Sequence, residues 1–254
     1  MGTQDSNEQI YPRELMGDFV NPSPPALVPA RAILKGCFVD LEPQNAANHA
    51  AELYAAGHDS EQGLRIWDYL AYGPWPNEEN YAATLRAQSG SLDTIFYSIR
   101  DHATGKASGQ ASYLDIHAVN GVIEIGHIWF GPSLQRVRGA TEALFLMLKY
   151  AMDDLGYRRM QWRCNGQNAR SRQAARRLGF RFEGTFHNHM IFKGKNRDTT
   201  WYSILDDEWA EVRGIIENWL SDDNFDANGV AKTSLYDAMQ ARQPSKRRIG
   251  HGKD

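Results

Sequence analysis

Between Val122 and Phe180 the hydrophobic period changes three times, and few folds accommodate that succession. Residues 122–130 are rich in β-branched and aromatic side chains and stop at Gly131-Pro132, where proline withdraws a ladder donor. Apolar residues then recur at Ala140, Ala143, Leu144, Met147, Leu148, Ala151 and Leu155. This is the i, i+3, i+4, i+7 spacing of one helix face, and Gly156 stands where a left-handed residue ends a helix. Met160, Trp162 and Cys164 alternate as a strand, and residues 168–178 read as a second helix closed by Gly179. Strand, helix, strand, helix in this order calls for a sheet with helices on its faces.

The rest of the chain extends that sheet. Residues 32–41 predict an opening strand, 45–56 a helix, and 63–85 a helix, turn and helix carrying Trp67, Tyr69, Tyr72 and Trp75 around Gly73-Pro74. Residues 94–99, 106–116 and 122–130 form an antiparallel meander, because turn-forming residues separate them. Residues 180–192 and 199–205 predict a last strand pair about a turn at 193–198, and 206–220 a helix with Trp209, Val212 and Ile216 inward. The organisation expected is an irregular lead-in at 1–30, one domain at 31–220 and a polar tail at 221–254, loosely held from Lys246 on. Asp222, Asn224 and Asp226 imitate the start of a calcium loop, but Ala227 and Thr233 occupy the places of its glycine and its bidentate glutamate.

Composition narrows the function. No stretch offers the ~20 apolar residues of a membrane span, and residues 1–21 contain no apolar run of the leader type. A cytoplasmic protein with no membrane partner is expected. Cys37 and Cys164 stand apart, which indicates neither a disulfide framework nor a metal clip, so no metal is expected. The net charge of −3 is unevenly spread: from Arg136 to Arg181 ten arginines and Lys149 face only Glu142, Asp153 and Asp154, a net +8 that leaves −11 elsewhere. An anionic ligand suits that segment. The turn Gln135, Arg136, Val137, Arg138, Gly139 feeds a helix N-terminus, where unpaired amides and the positive end of the dipole receive phosphate. No DNA-reading helix pair or stacking platform accompanies the charge, so nucleic acid is not expected as a partner.

The order of elements, together with Leu34-Lys35-Gly36 through Leu41-Glu42-Pro43, Glu124-Ile125-Gly126-His127, Gln135 to Ala143, and Asn168-x-x-Ser171 followed by Leu178-Gly179-Phe180, resembles the GNAT superfamily of acyl-CoA-dependent N-acetyltransferases. The branch most resembled includes the acetyltransferases of ribosomal-protein N-termini. The resemblance implies an α/β fold with a mixed, mostly antiparallel sheet, a splayed central strand and helices on both faces. It implies acetyl-CoA as co-substrate: Ile128 and Phe130 pairing with the pantetheine arm, Gln135, Arg136, Val137, Arg138, Gly139, Ala140 and Thr141 wrapping the pyrophosphate, and Asn168 with Ser171 beside the thioester. It further implies that Trp67, Tyr69, Tyr72 and Trp75 cover an acceptor pocket.

Two positions depart from the family pattern. Arg138 occupies the place of a glycine, and Ala175 stands where many relatives carry a tyrosine acid, leaving Ser171 or a water for that task. An amine must lose a proton before it attacks a thioester, and Glu124 is the candidate base with His127 second. Three positions apart on a strand, they share a face only if a bulge at Gly126 resets the register. His187 and His189 would share a face by alternation, and His187 is a substrate-contact candidate. The activity expected is acetylation of a primary amine on a small molecule. Acetylation of a peptide or protein N-terminus and a non-catalytic acyl-CoA-binding regulator are the alternatives, in a monomer or a homodimer.

Overall fold

A computed structural model of the chain describes residues 20 and 25–243. The rest of the lead-in and the stretch from Lys246 on lie outside the described residues. In chain order the elements are β1 (Leu34–Lys35), β2 (Val39–Pro43), α1 (Ala46–His58), α2 (Glu61–Leu64), α3 (Glu78–Ser89), β3 (Ile95–Asp101), β4 (Ala107–His117) and β5 (Val122–Phe130). There follow α4 (Arg138–Lys149), β6 (Arg159–Asn165), α5 (Ala169–Arg177), β7 (Arg181–Phe192), β8 (Lys195–Leu205), α6 (Asp206–Leu220) and α7 (Leu235–Gln240). Asparagine opens three of the helices: Asn45, Asn77 and Asn168 each accept a first-turn amide, the arrangement that satisfies otherwise orphaned donors.

The eight strands form one sheet in the order β1-β2-β3-β4-β5-β6-β8-β7. Every pairing is antiparallel except β5 with β6, which are parallel and matched only at Val122↔Arg159, Ile123↔Met160 and Glu124↔Gln161. Beyond Glu124 the two strands part. On one face Tyr97, Tyr113, Ile123, Ile125, Met160 and Ile204 join the core that α4 and α6 complete. On the other, Leu53, Trp67, Tyr81, Leu85 and Trp129 form a second core under α1 and α3.

Two expectations change, and the place of the segment after Leu220 is defined. Residues 32–41 make a tight turn between two strands rather than one strand, because the buried carboxylate of Glu142 on α4 accepts the amides of Cys37 (2.8 Å), Phe38 (2.7 Å) and Val39 (3.0 Å). The polar run 195–198 is strand and not turn, since Phe192↔Lys195, Ile191↔Asn196 and Met190↔Arg197 continue the ladder. The segment after Leu220 packs on the domain: Leu235 and Met239 are buried, and Arg242 donates to the carbonyl of Gly179 at 2.9 Å.

Candidate active site

The gap between β5 and β6 has a backbone wall. Gly131 N–H donates to Ser108 O at 2.7 Å, and alternation along an antiparallel strand then turns the polar groups of Phe130, and of Ile128 before it, toward the gap. The carbonyl of Phe130 is taken there by Gln135 Nε2 at 2.8 Å. Below the gap the chain passes Arg136, in the left-handed region at φ 62°, into α4, whose N-cap residue Val137 provides no side-chain cap. The first-turn amides thus lie beside an exposed Arg136. Gly139 serves packing: a Cβ there would lie 2.9 Å from Val39 Cγ1. Arg138 points away from the turn, lying 4.2 Å from the Phe38 ring and 4.3 Å from the Phe225 ring, with Asp222 at 2.8 Å and a hydrogen bond to Leu220 O. In its place Arg177 from α5 reaches the first turn of α4, donating to Thr141 Oγ1 at 2.9 Å while it lies over Trp219.

At the head of α5, Asn168 is engaged as the cap, accepting the Ser171 amide at 3.1 Å. Ser171 Oγ accepts the indole N–H of Trp162 at 3.1 Å, which leaves the hydroxyl hydrogen free to donate. Ala175 is fully buried in the core, so that position does not face the gap.

The opposite face of β5 carries titratable groups. The register slips between Gln110↔Trp129 and Ser112↔Gly126, which places one extra residue on β5. The bulge falls at His127, at φ 51°, and not at Gly126. Its consequence is the one sought: Glu124 and His127 share a face. His127 is held by Gln110, whose Nε2 donates to its carbonyl at 3.2 Å, and by Tyr72, whose hydroxyl lies 3.0 Å from Nδ1. Gln110 Nε2 also donates to the Tyr72 hydroxyl at 3.0 Å, and its Oε1 accepts from Gln44 at 2.8 Å. The Tyr72 oxygen keeps a second acceptor site, so its hydroxyl either donates to Nδ1 of His127 or accepts from it, according to the tautomer of the ring. Burial lowers its pKa to about 4, which keeps it neutral near pH 7.

Glu124 is 2% exposed, and burial pushes its pKa up to about 8 although Arg163 stands 3.1 Å away. Arg163 in turn pairs with Asp115 at 2.7 Å. A carboxyl group with a pKa so close to neutrality is suited to proton transfer.

The family model of the acetyltransferase (GNAT) domain matches residues 40–181, more than half of the chain. The chain belongs to the GNAT acetyltransferase family. A GCN5-related N-acetyltransferase from Brucella melitensis is 41% identical, with a TM-score of 0.84 over 87% of this chain and 100% of that one. A Chromobacterium violaceum structure described as a probable GNAT acetyltransferase is 38% identical, with a TM-score of 0.71 over 79% of this chain and 99% of its own. The Bacillus subtilis (strain 168) protein named "Putative ribosomal N-acetyltransferase YdaF" is 28% identical over 66% of this chain and 90% of its length.

GNAT enzymes use acetyl-CoA as co-substrate, and the uncapped N-terminus of α4, the free edge of β5 and the flanking arginines suit its pyrophosphate and pantetheine. Within this GNAT fold the four aromatic residues of 67–75 take different places. Trp67 is core, 1% exposed, its indole donating to Gly57 O at 2.9 Å. Trp75 packs edge-on to it. Tyr72 reaches His127, and Tyr69 is exposed beside the carbonyl of Gln167 at 3.4 Å. Lys193, in the β7–β8 turn, donates to Trp67 O at 2.7 Å, tying that hairpin to the aromatic segment. His187 and His189 reach successive residues of β8, Asp198 and Thr199, each at 3.0 Å, because Asn188 between them is left-handed and the register slips there. They therefore do not share a face.

Sequence reasoning missed Asp115, Arg163, Arg177, Gln110 and Arg197. Their signals were weak: each is one of several polar residues in its strand, or one arginine among many.

Proposed function

We propose that this GNAT N-acetyltransferase acetylates the primary amine of a small molecule, with Glu124 removing the amine proton. The observation that carries this reading is the buried carboxyl of Glu124 on the face it shares with His127, beside the parting of β5 and β6. Acetyl-CoA supplies the acetyl group as a thioester. The α4 N-terminus with Arg136 and Arg177 would hold the pyrophosphate, and the Phe130 and Ile128 backbone the pantetheine. At pH 7 a group of pKa about 8 is ionised to about one part in ten, yet when ionised it is a far stronger base than an ordinary carboxylate. It is matched to an α-amine of pKa about 7.8, whose deprotonation costs about 1 kcal/mol at pH 7, better than to an alkylamine near 10.4, which costs about 4.6 kcal/mol. The ammonium gives one proton to Glu124; the new N–C bond then forms as C–S breaks, and the second N–H proton passes to the departing thiolate through the Ser171 hydroxyl or a water, each of which takes up one proton as it gives one.

A second reading, acetylation of a protein N-terminus, is favoured by the name of the Bacillus relative. Thiol release from acetyl-CoA across amines, amino acids and short peptides separates the two. Turnover of amino acids above that of peptides supports the first reading, the reverse supports the second, and thiol release from no amine rejects both.

A further inference from the structure

Around Glu124, one charged group of the face lacks a hydrogen-bonded partner. Asp115 and Glu124 both lie against Arg163. A second cation stands on the same face. Alternation along β8 puts Arg197 with Thr199 and Trp201, and Trp201 lies 5.2 Å below the guanidinium of Arg163. Arg197 is 9% exposed and stacks on Phe192 at 4.2 Å. Among the described residues no hydrogen bond or ion pair reaches its guanidinium, and its Nε is buried without a partner. Burial lowers its pKa, and it stands within electrostatic reach of both Arg163 and Glu124. An arginine buried without a hydrogen-bonded partner is costly, because its desolvation is not offset by any fork of accepted hydrogen bonds. Such a group is retained where a ligand supplies the acceptor.

We propose that Arg197 is the anion-recognition residue of the acceptor site, so that the acceptor carries a side-chain carboxylate as well as the amine to be acetylated. This rests on the acceptor face proposed above. The carboxylate would complete the arginine's hydrogen bonds, and the two cations and two acids of the face would then hold the amine end near Glu124. An amino acid with an acidic side chain and a peptide with an acidic residue next to its N-terminus offer the same chemistry.

The test has two arms. In the first, thermal shift with coenzyme A present compares N-acetyl-aspartate α-amide, which keeps only its side-chain carboxylate, with N-acetyl-asparagine amide, which has none, on the intact protein. These probes cannot be turned over, so the result stands whether or not catalysis is seen. Expected is stabilisation by the acid only, lost in Arg197→Gln and weakened in Arg197→Lys, with coenzyme A affinity unchanged. In the second, kcat/KM is compared for aspartate against asparagine and for the tetrapeptide amide Ser-Asp-Ala-Ala against Ser-Asn-Ala-Ala. A preference for the acid of about 10- to 100-fold, carried by KM and abolished in Arg197→Gln, is expected for one charge-assisted contact. The responding pair tells the free amino acid from the peptide. Equal shifts for both first-arm probes in the parent, or an acid preference that survives in Arg197→Gln, overturns the proposal. First-arm discrimination without turnover of any amine retains the anion site and rejects the acetylation reading instead.

Discussion

The two faces of β5 show two ways of using buried surface. Toward α4, Ile123 and Ile125 meet Tyr113, Met147 and Met160 in a core that contains almost only carbon. Toward α1 and α3, the same strand presents Glu124 and His127 to Gln110, Ser112, Gln44 and Arg163. Both faces are buried, but only the first lowers the free energy of folding simply by leaving water. The second needs each polar group to be matched, and Glu124 and Arg197 are matched incompletely. Incomplete matching marks the face where a ligand is expected and where a carboxyl and an imidazole are both displaced from their ordinary range.

The sharpest way to break this comparison is Glu124→Gln, which keeps the shape and removes the basicity. Its rate at pH 7 should fall by about 10²- to 10⁴-fold with acetyl-CoA affinity unchanged. The base acts only when ionised, so parent activity should fall as pH drops through about 8. Thiol release from pH 6 to 9.5 should show that limb in the parent and none in the variant. A parent profile without the limb would remove Glu124 from the reaction.

On the apolar face the effect should be stability instead. Ile125, 1% exposed, cut back to alanine should lose about 2 to 5 kcal/mol in urea unfolding. The enzyme that remains folded should keep the parent pH profile. If the profile moves as well, the two faces are not separable.

The cofactor side sharpens the same contrast with two arginines two residues apart. Arg136→Ala should weaken acetyl-CoA binding by about 1.5 to 3 kcal/mol in calorimetry. Arg138→Ala should leave that affinity intact and loosen residues 221–243, losing about 0.5 to 2 kcal/mol for each ring it stacks on. Comparable loss of affinity in both variants would mean that Arg138 turns to the cofactor.

The smallest effect expected is a displaced limb at unchanged plateau rate. Arg163 lowers the pKa of Glu124 and Asp115 raises it. Arg163→Ala should therefore move the acidic limb to higher pH, and Asp115→Asn should move it to lower pH. Shifts of the opposite sign in the pH–rate profile would place the titrating group elsewhere.

Much of this molecule follows from local rules. The helix face from Ala140 to Leu155 and the strand alternations could be read because each depends on neighbours within a few positions in the chain. The turn that feeds α4 was legible for the same reason, being one short stretch with its own charge. Other features depend on distant partners. Glu142 folds residues 36–39 into a turn from more than 100 positions away. The bulge at His127 depends on Gln110 and Tyr72, and the orientation of Arg138 on Phe225. The succession of elements, the apolar stripes and a basic segment suited to an anion are local, because periodicity acts over one or two turns. That Arg138 turns from the α4 N-terminus while Arg177 reaches it, and that Glu124 stands in a medium able to hold its pKa near 8, are properties of the packed fold. Desolvation and charge pairing are properties of the space around a side chain, and that space is filled by residues the local pattern does not contain.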